Sequence, residues 1–164
     1  VQTCALPISS DNLDRLVAQR RVRGAVRFTG WLAEGELHAL VAAADVVVIP
    51  SIYEPFGLVA LEAAALGAPL VVARTGGLAE FVRDDVTGRT FAPGDARDLA
   101  RVVTEAMLDP AGSTAMARRA RQRLRESHMW ETIAEVTAEV YRQATEHVRL
   151  ASPASAVQIG RAHV

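Results

Sequence analysis

The chain has 164 residues, half of them apolar and 23% charged, with a formal net charge of −1; that is the size of one domain with enough apolar side chain for a core. It excludes a disordered segment, a collagen-like chain and a disulfide scaffold, and no apolar run approaches the roughly 18 residues of a membrane span. The near-neutral balance gives no reason to expect a nucleic-acid partner, and the single cysteine, Cys4, makes neither an intrachain disulfide nor a Cys-based metal site.

Taken in chain order, the two ends stand apart. Residues 1–8 can be encoded by a segment containing GACGTGTGCTCTTCCGAT, and residues 159–164 by its reverse complement, ATCGGAAGAGCACACGTC. Ends related in this way resemble one sequencing adaptor ligated to both sides of an insert, and such scars are set aside in fold reasoning. Cys4 goes with them. The expected insert, residues 9–158, is cut from something longer. It holds one domain over 9–150 and a small, polar, disordered tail over 151–158. All of its basic residues are Arg and none is Lys, which points to a GC-rich genome.

Leu13, Leu16 and Val17 predict a helix over 11–20, and Val26-Arg27-Phe28-Thr29-Gly30 alternates as a short strand does. A helix is expected over 36–44. Val46-Val47-Val48-Ile49 then reads as a strand buried on both faces, as in a parallel sheet. A polar loop over 51–57 leads to a helix over 58–66, closed by Gly67 and Pro69. Residues 70–73 form the next buried strand, 75–77 a turn and 78–82 a short helix. A turn over 84–88 precedes a strand over 89–91. Asp95 is placed to cap a helix running to Met107, and helices over 113–127 and 130–150 complete the chain. Strands alternating with helices predict an α/β fold: a Rossmann-like parallel sheet covered by helices on both faces. Ligands of such sheets bind beyond the carboxyl ends of the strands, here after Phe28, Ile49 and Ala73. With no Gly-x-Gly-x-x-Gly after a strand and no Gly-Lys-Ser/Thr loop, dinucleotide dehydrogenases and P-loop enzymes lose support.

The segment from Ser51 to Pro69 carries the chemistry. Glu62 is the only polar side chain in a helix otherwise made of Leu, Val and Ala. A helix apolar all round is a buried one, and a carboxylate inside it needs a partner. That partner is either an Arg of the protein or the hydroxyls of a bound sugar or ribose. Gly57 opens the helix, where free backbone N–H groups and the helix dipole favour an anion and where a ligand can approach the backbone. Glu54 lies on the loop just before. One strand–loop–helix unit thus offers an anion site and two carboxylates, the arrangement a nucleotide-sugar site needs.

The run from Pro50 to Val72 resembles the Glu-x7-Glu signature of retaining glycosyltransferases with two Rossmann-like domains, in particular family 4, the glycosyl transferases group 1 domain. Phe28-Thr29-Gly30-Trp31, Thr75-Gly76-Gly77-Leu78-Ala79-Glu80, Thr87-Gly88 and Pro93-Gly94-Asp95 resemble further segments of that family, so the likeness covers about residues 24–146. It implies the C-terminal, donor-binding half of a cytoplasmic enzyme that passes a sugar from a nucleotide-diphosphate sugar to an acceptor hydroxyl. By the resemblance, Glu54 faces the donor sugar, as the catalytic residue, and Glu62 binds ribose hydroxyls. The backbones of Phe56, Gly57 and Leu58 contact sugar and phosphate, and Gly30 borders the nucleobase pocket. Arg74, Thr75 and Gly76 are further candidates at the mouth of the site. No metal or other cofactor is implied, and the donor itself is a substrate. The family's Gly-Arg and Lys pair for the diphosphate has no counterpart here, and its N-terminal acceptor domain is expected to be missing. The polypeptide alone is therefore expected to be inactive.

Two other readings stay open: a non-catalytic nucleotide- or sugar-binding module of the same fold, and a nucleotide-sugar epimerase. The segment Trp130 to Tyr141 looks most like bacterial glycogen-synthase-like members of the family. Elsewhere, the arginines at 118, 119, 121, 123 and 125 read as a solvated helix face, the other reading being contact with anionic lipid at a membrane periphery or with a polyanionic acceptor. Arg74 is expected to pair with Glu80 or to approach a phosphate, Asp84-Asp85 to serve a turn, and Trp130 to anchor the last helix. His38 and His128 lack a second ligand at metal-binding spacing.

Overall fold

The computed structural model describes residues 10–151. The adaptor-like ends, Ser9 and the tail beyond Ala151 lie outside the described residues. The chain divides into two compact units, 1–37 and 38–164.

In the first unit, helix α1 (Ser10–Gln19) is followed by a single 3-10 turn, Arg23–Ala25. The strand expected over 26–30 does not form. Val26 is extended, with φ −121 and ψ 130, yet this segment joins no sheet. Alternation of Val26 and Phe28 favours an extended backbone, but a strand exists only where a neighbour takes its N–H and C=O groups. Both side chains are exposed. Helix α2 (Glu34–Ala42), whose residues fall partly in each unit, starts two residues before its predicted position. The Glu36 carboxylate accepts the Ala33 N–H at 3.0 Å there, satisfying a free helix-end donor.

The second unit holds a parallel sheet of β1 (Val47–Ile49), β2 (Leu70–Ala73) and β3 (Arg89–Phe91), in that spatial order. Val48 pairs with Val71 and Val72 with Thr90. Side chains of β2 alternate between two cores. Leu70 and Val72 pack with helices α3 (Leu58–Leu66), α4 (Gly76–Phe81) and α6 (Pro110–Ser127). Val71 and Ala73 pack with Phe91 and with Val102 and Ala106 of α5 (Ala96–Leu108). The expected α/β sheet with helices on both faces is therefore present. β1 departs from expectation: Val48 is exposed, because the α5 side chains that cover its partner Val71 do not reach it, and among the described residues β1 is an edge strand with β2 as its one neighbour.

The caps account for most boundaries. Gly67 ends α3 at φ 81, a left-handed conformation that suits glycine, and its N–H reaches the last carbonyls of the helix. The Asp95 carboxylate accepts the N–H groups of Arg97 and Asp98 at 2.9 and 3.0 Å, which starts α5 where the sequence places it. Helix α6 begins three residues earlier than expected. Asp109 accepts the Gly112 N–H at 2.9 Å, and Pro110 occupies the first turn, where its missing N–H costs nothing. Helix α4 likewise starts at Gly76, so Gly76 and Gly77 are helical and not part of the predicted turn. The last helix, α7, spans Trp130–Ala151. Among the described residues no helix is long and apolar enough to cross a membrane.

Candidate functional site

The loops that leave the carboxyl ends of β1 and β2 lie together. Gly57 takes φ 74 and turns the first loop into α3. The N–H groups of Ala60 and Leu61 fold back onto the Gly57 carbonyl, at 2.9 and 3.2 Å. The Gly57 N–H donates to Oε1 of Glu54 at 3.2 Å. Leu58 and Val59 N–H have no protein acceptor among the described residues. The half-buried Glu54 carboxylate thus lies at the positive end of α3, where a negative charge is favoured.

Glu62 is not buried. Helix α3 presents Ala60, Ala63 and Ala64 to the core and leaves Leu58, Val59 and Glu62 exposed. A uniformly apolar sequence hides this two-sidedness, because alanine fills the packed face and larger side chains lie outside. Glu62 makes no ion pair or hydrogen bond among the described residues, so no Arg is its partner there. It lies one turn above Leu58 on the same side of the helix, and helical side chains lean toward the N-terminus. Glu54 thus lies at the open N-terminus of α3, and Glu62 one turn into the helix on its exposed side.

The loop before α3 is also less polar than its sequence suggested. Tyr53 is 80% exposed and Phe56 76%, with Ile52 exposed beside them. With Leu58 and Val59 they give the site an apolar rim. Three large apolar side chains in an eight-residue Pro- and Gly-containing loop were the available signal.

The second loop holds the first. Thr75 Oγ1 donates to the Ile52 carbonyl at 3.2 Å, and the Gly77 N–H donates to the Glu54 carbonyl at 2.9 Å. A Cβ on Gly76 would stand 2.2 Å from the Glu54 oxygen, and one on Gly77 only 2.4 Å from the Phe56 carbonyl carbon. Both glycines are therefore required by close backbone approach. Sequence reasoning missed this contact.

Arg74 is exposed at the end of β2 and makes no ion pair with Glu80 among the described residues. Its field reaches Asp98. The Ala92 N–H, 2.8 Å away, does most to hold the Asp98 carboxyl below the usual carboxylate range; hydrogen bonds from Arg101 follow, and the charge of Arg74 adds least. Gly30 lies in the first unit at φ 64, with the Thr29 hydroxyl donating to its carbonyl at 3.2 Å.

Two arginines of the basic run do more than face solvent. Arg119 donates to the Val86 carbonyl at 2.5 Å and Arg123 to the Glu80 carbonyl at 3.3 Å. Trp130 is 81% exposed and does not anchor α7 as expected. Asp84 and Asp85 serve the turn: Asp84 accepts the Thr90 N–H at 2.7 Å, and Asp85, at φ 55, pairs with Arg89 at 3.0 Å. The His128 ring meets Phe81 edge-on at 5.3 Å. Among the described residues no three side chains of His, Cys, Asp and Glu gather as a metal site would require.

The model of the family described as glycosyl transferases group 1 matches residues 9–123. A glycogen synthase of Mycobacterium tuberculosis is 49% identical over 135 residues, which is 82% of this chain and 33% of that protein. A D-inositol 3-phosphate glycosyltransferase of Streptomyces avermitilis is 39% identical over 136 residues, 83% of this chain and 29% of that protein. Among solved structures, a sucrose-phosphate synthase of Thermosynechococcus elongatus superposes with a TM-score of 0.75 at 35% identity, over 84% of this chain and 34% of that one. The Anabaena protein HepE, solved in complex with UDP-glucose, gives 0.74 at 29% identity, over 82% and 36%. The chain thus spans about a third of the length of these relatives.

Proposed function

The chain belongs to the glycosyl transferases group 1 family, and from that premise we propose that it is the donor-binding part of a retaining, family 4 glycosyltransferase of the cytoplasm. The whole enzyme would pass a hexosyl group from a nucleotide diphosphate to an acceptor hydroxyl and keep the anomeric configuration. The observation that carries this reading is the pair Glu54, at the open N-terminus of α3, and Glu62, one turn into that helix, exposed and without a protein partner among the described residues.

In this reading Glu62 accepts hydrogen bonds from the ribose hydroxyls, as an acceptor-only group can. Glu54 faces the donor sugar. The backbones of Phe56, Gly57 and Leu58 meet sugar and phosphate, and the positive helix end favours the charge that grows on the departing diphosphate. Arg74, at the end of β2, and Gly76, at the start of α4, lie at the mouth. The donor needs no metal ion, and EDTA is expected to leave its binding unchanged. The acceptor site and the remaining diphosphate contacts would come from an N-terminal domain, so this polypeptide alone transfers no sugar.

Two measurements test the reading. UDP-glucose or ADP-glucose at about a hundred times its Kd should stabilise the chain by about 2.7 kcal/mol, seen as a raised Tm, and Glu62→Ala should abolish the rise. A wild-type Tm that no nucleotide sugar moves would refute donor binding. Sugar transfer by the purified 164-residue chain would refute its proposed inactivity.

A further inference from the structure

The contacts between the two loops suggest a role for Thr75 that no direct approach to a ligand requires. Its hydroxyl is already engaged, because Oγ1 donates to the Ile52 carbonyl at 3.2 Å. Two residues on, the Gly77 N–H donates to the Glu54 carbonyl at 2.9 Å. The chain from Ile52 to Phe56 is thereby held at Ile52 and Glu54 by the start of one helix. Contact at Phe56 is steric, since Gly77 comes so near that even a methyl group would displace it. Within the held segment, Glu54 turns its carboxylate to the Gly57 N–H.

We infer that Thr75 is a positioning residue for donor-sugar recognition: it fixes the 52–57 loop, and through it the Glu54 carboxylate, without touching the donor. The inference rests on the proposed donor site and deepens it. A Ser, Thr or Asn side chain commonly caps the helix it precedes. Thr75 is the residue before α4 but makes no capping bond to that helix; its hydroxyl crosses to the neighbouring loop. Its exchange for a hydrophobic isostere removes one bond of the set and leaves the Gly77 bond and the tight glycine contacts to hold the loop more loosely. Glu54 then samples orientations in which it does not face the sugar. The ribose side of the site, which depends on Glu62 and on α3 itself, stays in place.

Thr75→Val and Thr75→Ser separate the alternatives in the full 164-residue chain. Two readouts are needed: hydrogen exchange of the Gly57 amide without ligand, and affinities for UDP and UDP-glucose, with ADP and ADP-glucose as a second pair. In Thr75→Val the Gly57 amide should exchange about five- to tenfold faster, the worth of one hydrogen bond. The preference for the nucleotide sugar over the bare nucleotide should fall by a similar factor, while affinity for the bare nucleotide is kept. Thr75→Ser should restore both. Unchanged exchange in Thr75→Val overturns the inference, whatever happens to affinity, since a direct contact would lower affinity without freeing the loop. Faster exchange with an unchanged preference for the nucleotide sugar overturns it as well. If the wild type binds neither ligand pair, the donor-site reading fails, and the exchange data still decide whether Thr75 fixes the loop.

Discussion

Gly77→Ala is expected to destabilise the protein, although the same exchange in an ordinary helix does the reverse. Gly77 is the second residue of α4, and alanine is better than glycine inside a helix by about 0.5–1 kcal/mol. Here the added Cβ would lie 2.4, 2.5 and 2.8 Å from the carbonyl carbon, carbonyl oxygen and Cα of Phe56. All three atoms are backbone, so no flexible side-chain tip can swing away. Either α4 or the 52–57 loop has to move, and overpacking of this kind costs about 1–3 kcal/mol, occasionally more. The Gly77 to Glu54 hydrogen bond is strained by the same movement, adding about 1 kcal/mol. After the helix gain is subtracted, the net loss is about 2 kcal/mol, or roughly 4–8 °C in Tm for a chain of this size. Gly35→Ala is the matched control. Gly35 is also helical, a Cβ there meets nothing within 4 Å, and alanine should be neutral or stabilising. Urea unfolding of both variants measures the contrast. A Gly77→Ala protein as stable as the wild type would refute the claim that backbone approach, not turn geometry, requires glycine at this position.

Asp95→Ala removes the acceptor for two N–H groups at the start of α5 and should cost about 1 kcal/mol by urea denaturation. Asp98 has a carboxyl pKa lowered in the folded state, so its stabilising contribution is complete above the ordinary carboxylate pKa. It is lost as pH falls through the folded value; Asp98→Asn should therefore flatten the acid side of the stability–pH curve and leave its neutral side no steeper. Trp130→Ser should change the stability of the chain by less than about 0.5 kcal/mol, because its side chain is exposed; a loss of several kcal/mol would restore the anchoring role that its position suggested.

Legibility in the sequence followed the range of the interaction. Helix α3 and strands β2 and β3 have the bounds that their apolar runs and flanking glycines predict, because caps and periodicity are local. Residues 26–30 show the limit: alternation describes one chain, whereas a strand is a relation between two. Glu62 and Trp130 fail for a related reason. Uniform apolarity predicts a helix buried all round, yet α3 has a packed side of alanines and an open side with Leu58 and Val59. The place of Trp130 at the start of the last helix points to an anchor, yet Trp130 is exposed, and so are Ile133, Val136 and Val140 on the same helix. The bonds from Thr75 to Ile52 and from Gly77 to Glu54 cross more than twenty residues, and no single-segment pattern announces them. The start of α6 was readable: Asp109-Pro110 carries both the cap and the first-turn proline.

The alanine face of α3 has a consequence for how this site can diversify. Helix α3 packs on α6, and Ala60, Ala63 and Ala64 share one core cluster with the fully buried Ala120 of α6, so methyl groups fill the packed face of α3. Any larger side chain on that face must push α3 outward, and the loop, the open helix end and both carboxylates would travel with it. Changes at Leu58, Val59 or the rim residues Tyr53 and Phe56 meet no such obstacle. The helix thus behaves like a type block clamped in a press: its back fixes the depth to within a methyl group, while its printing face can be recut for another sugar without resetting the frame.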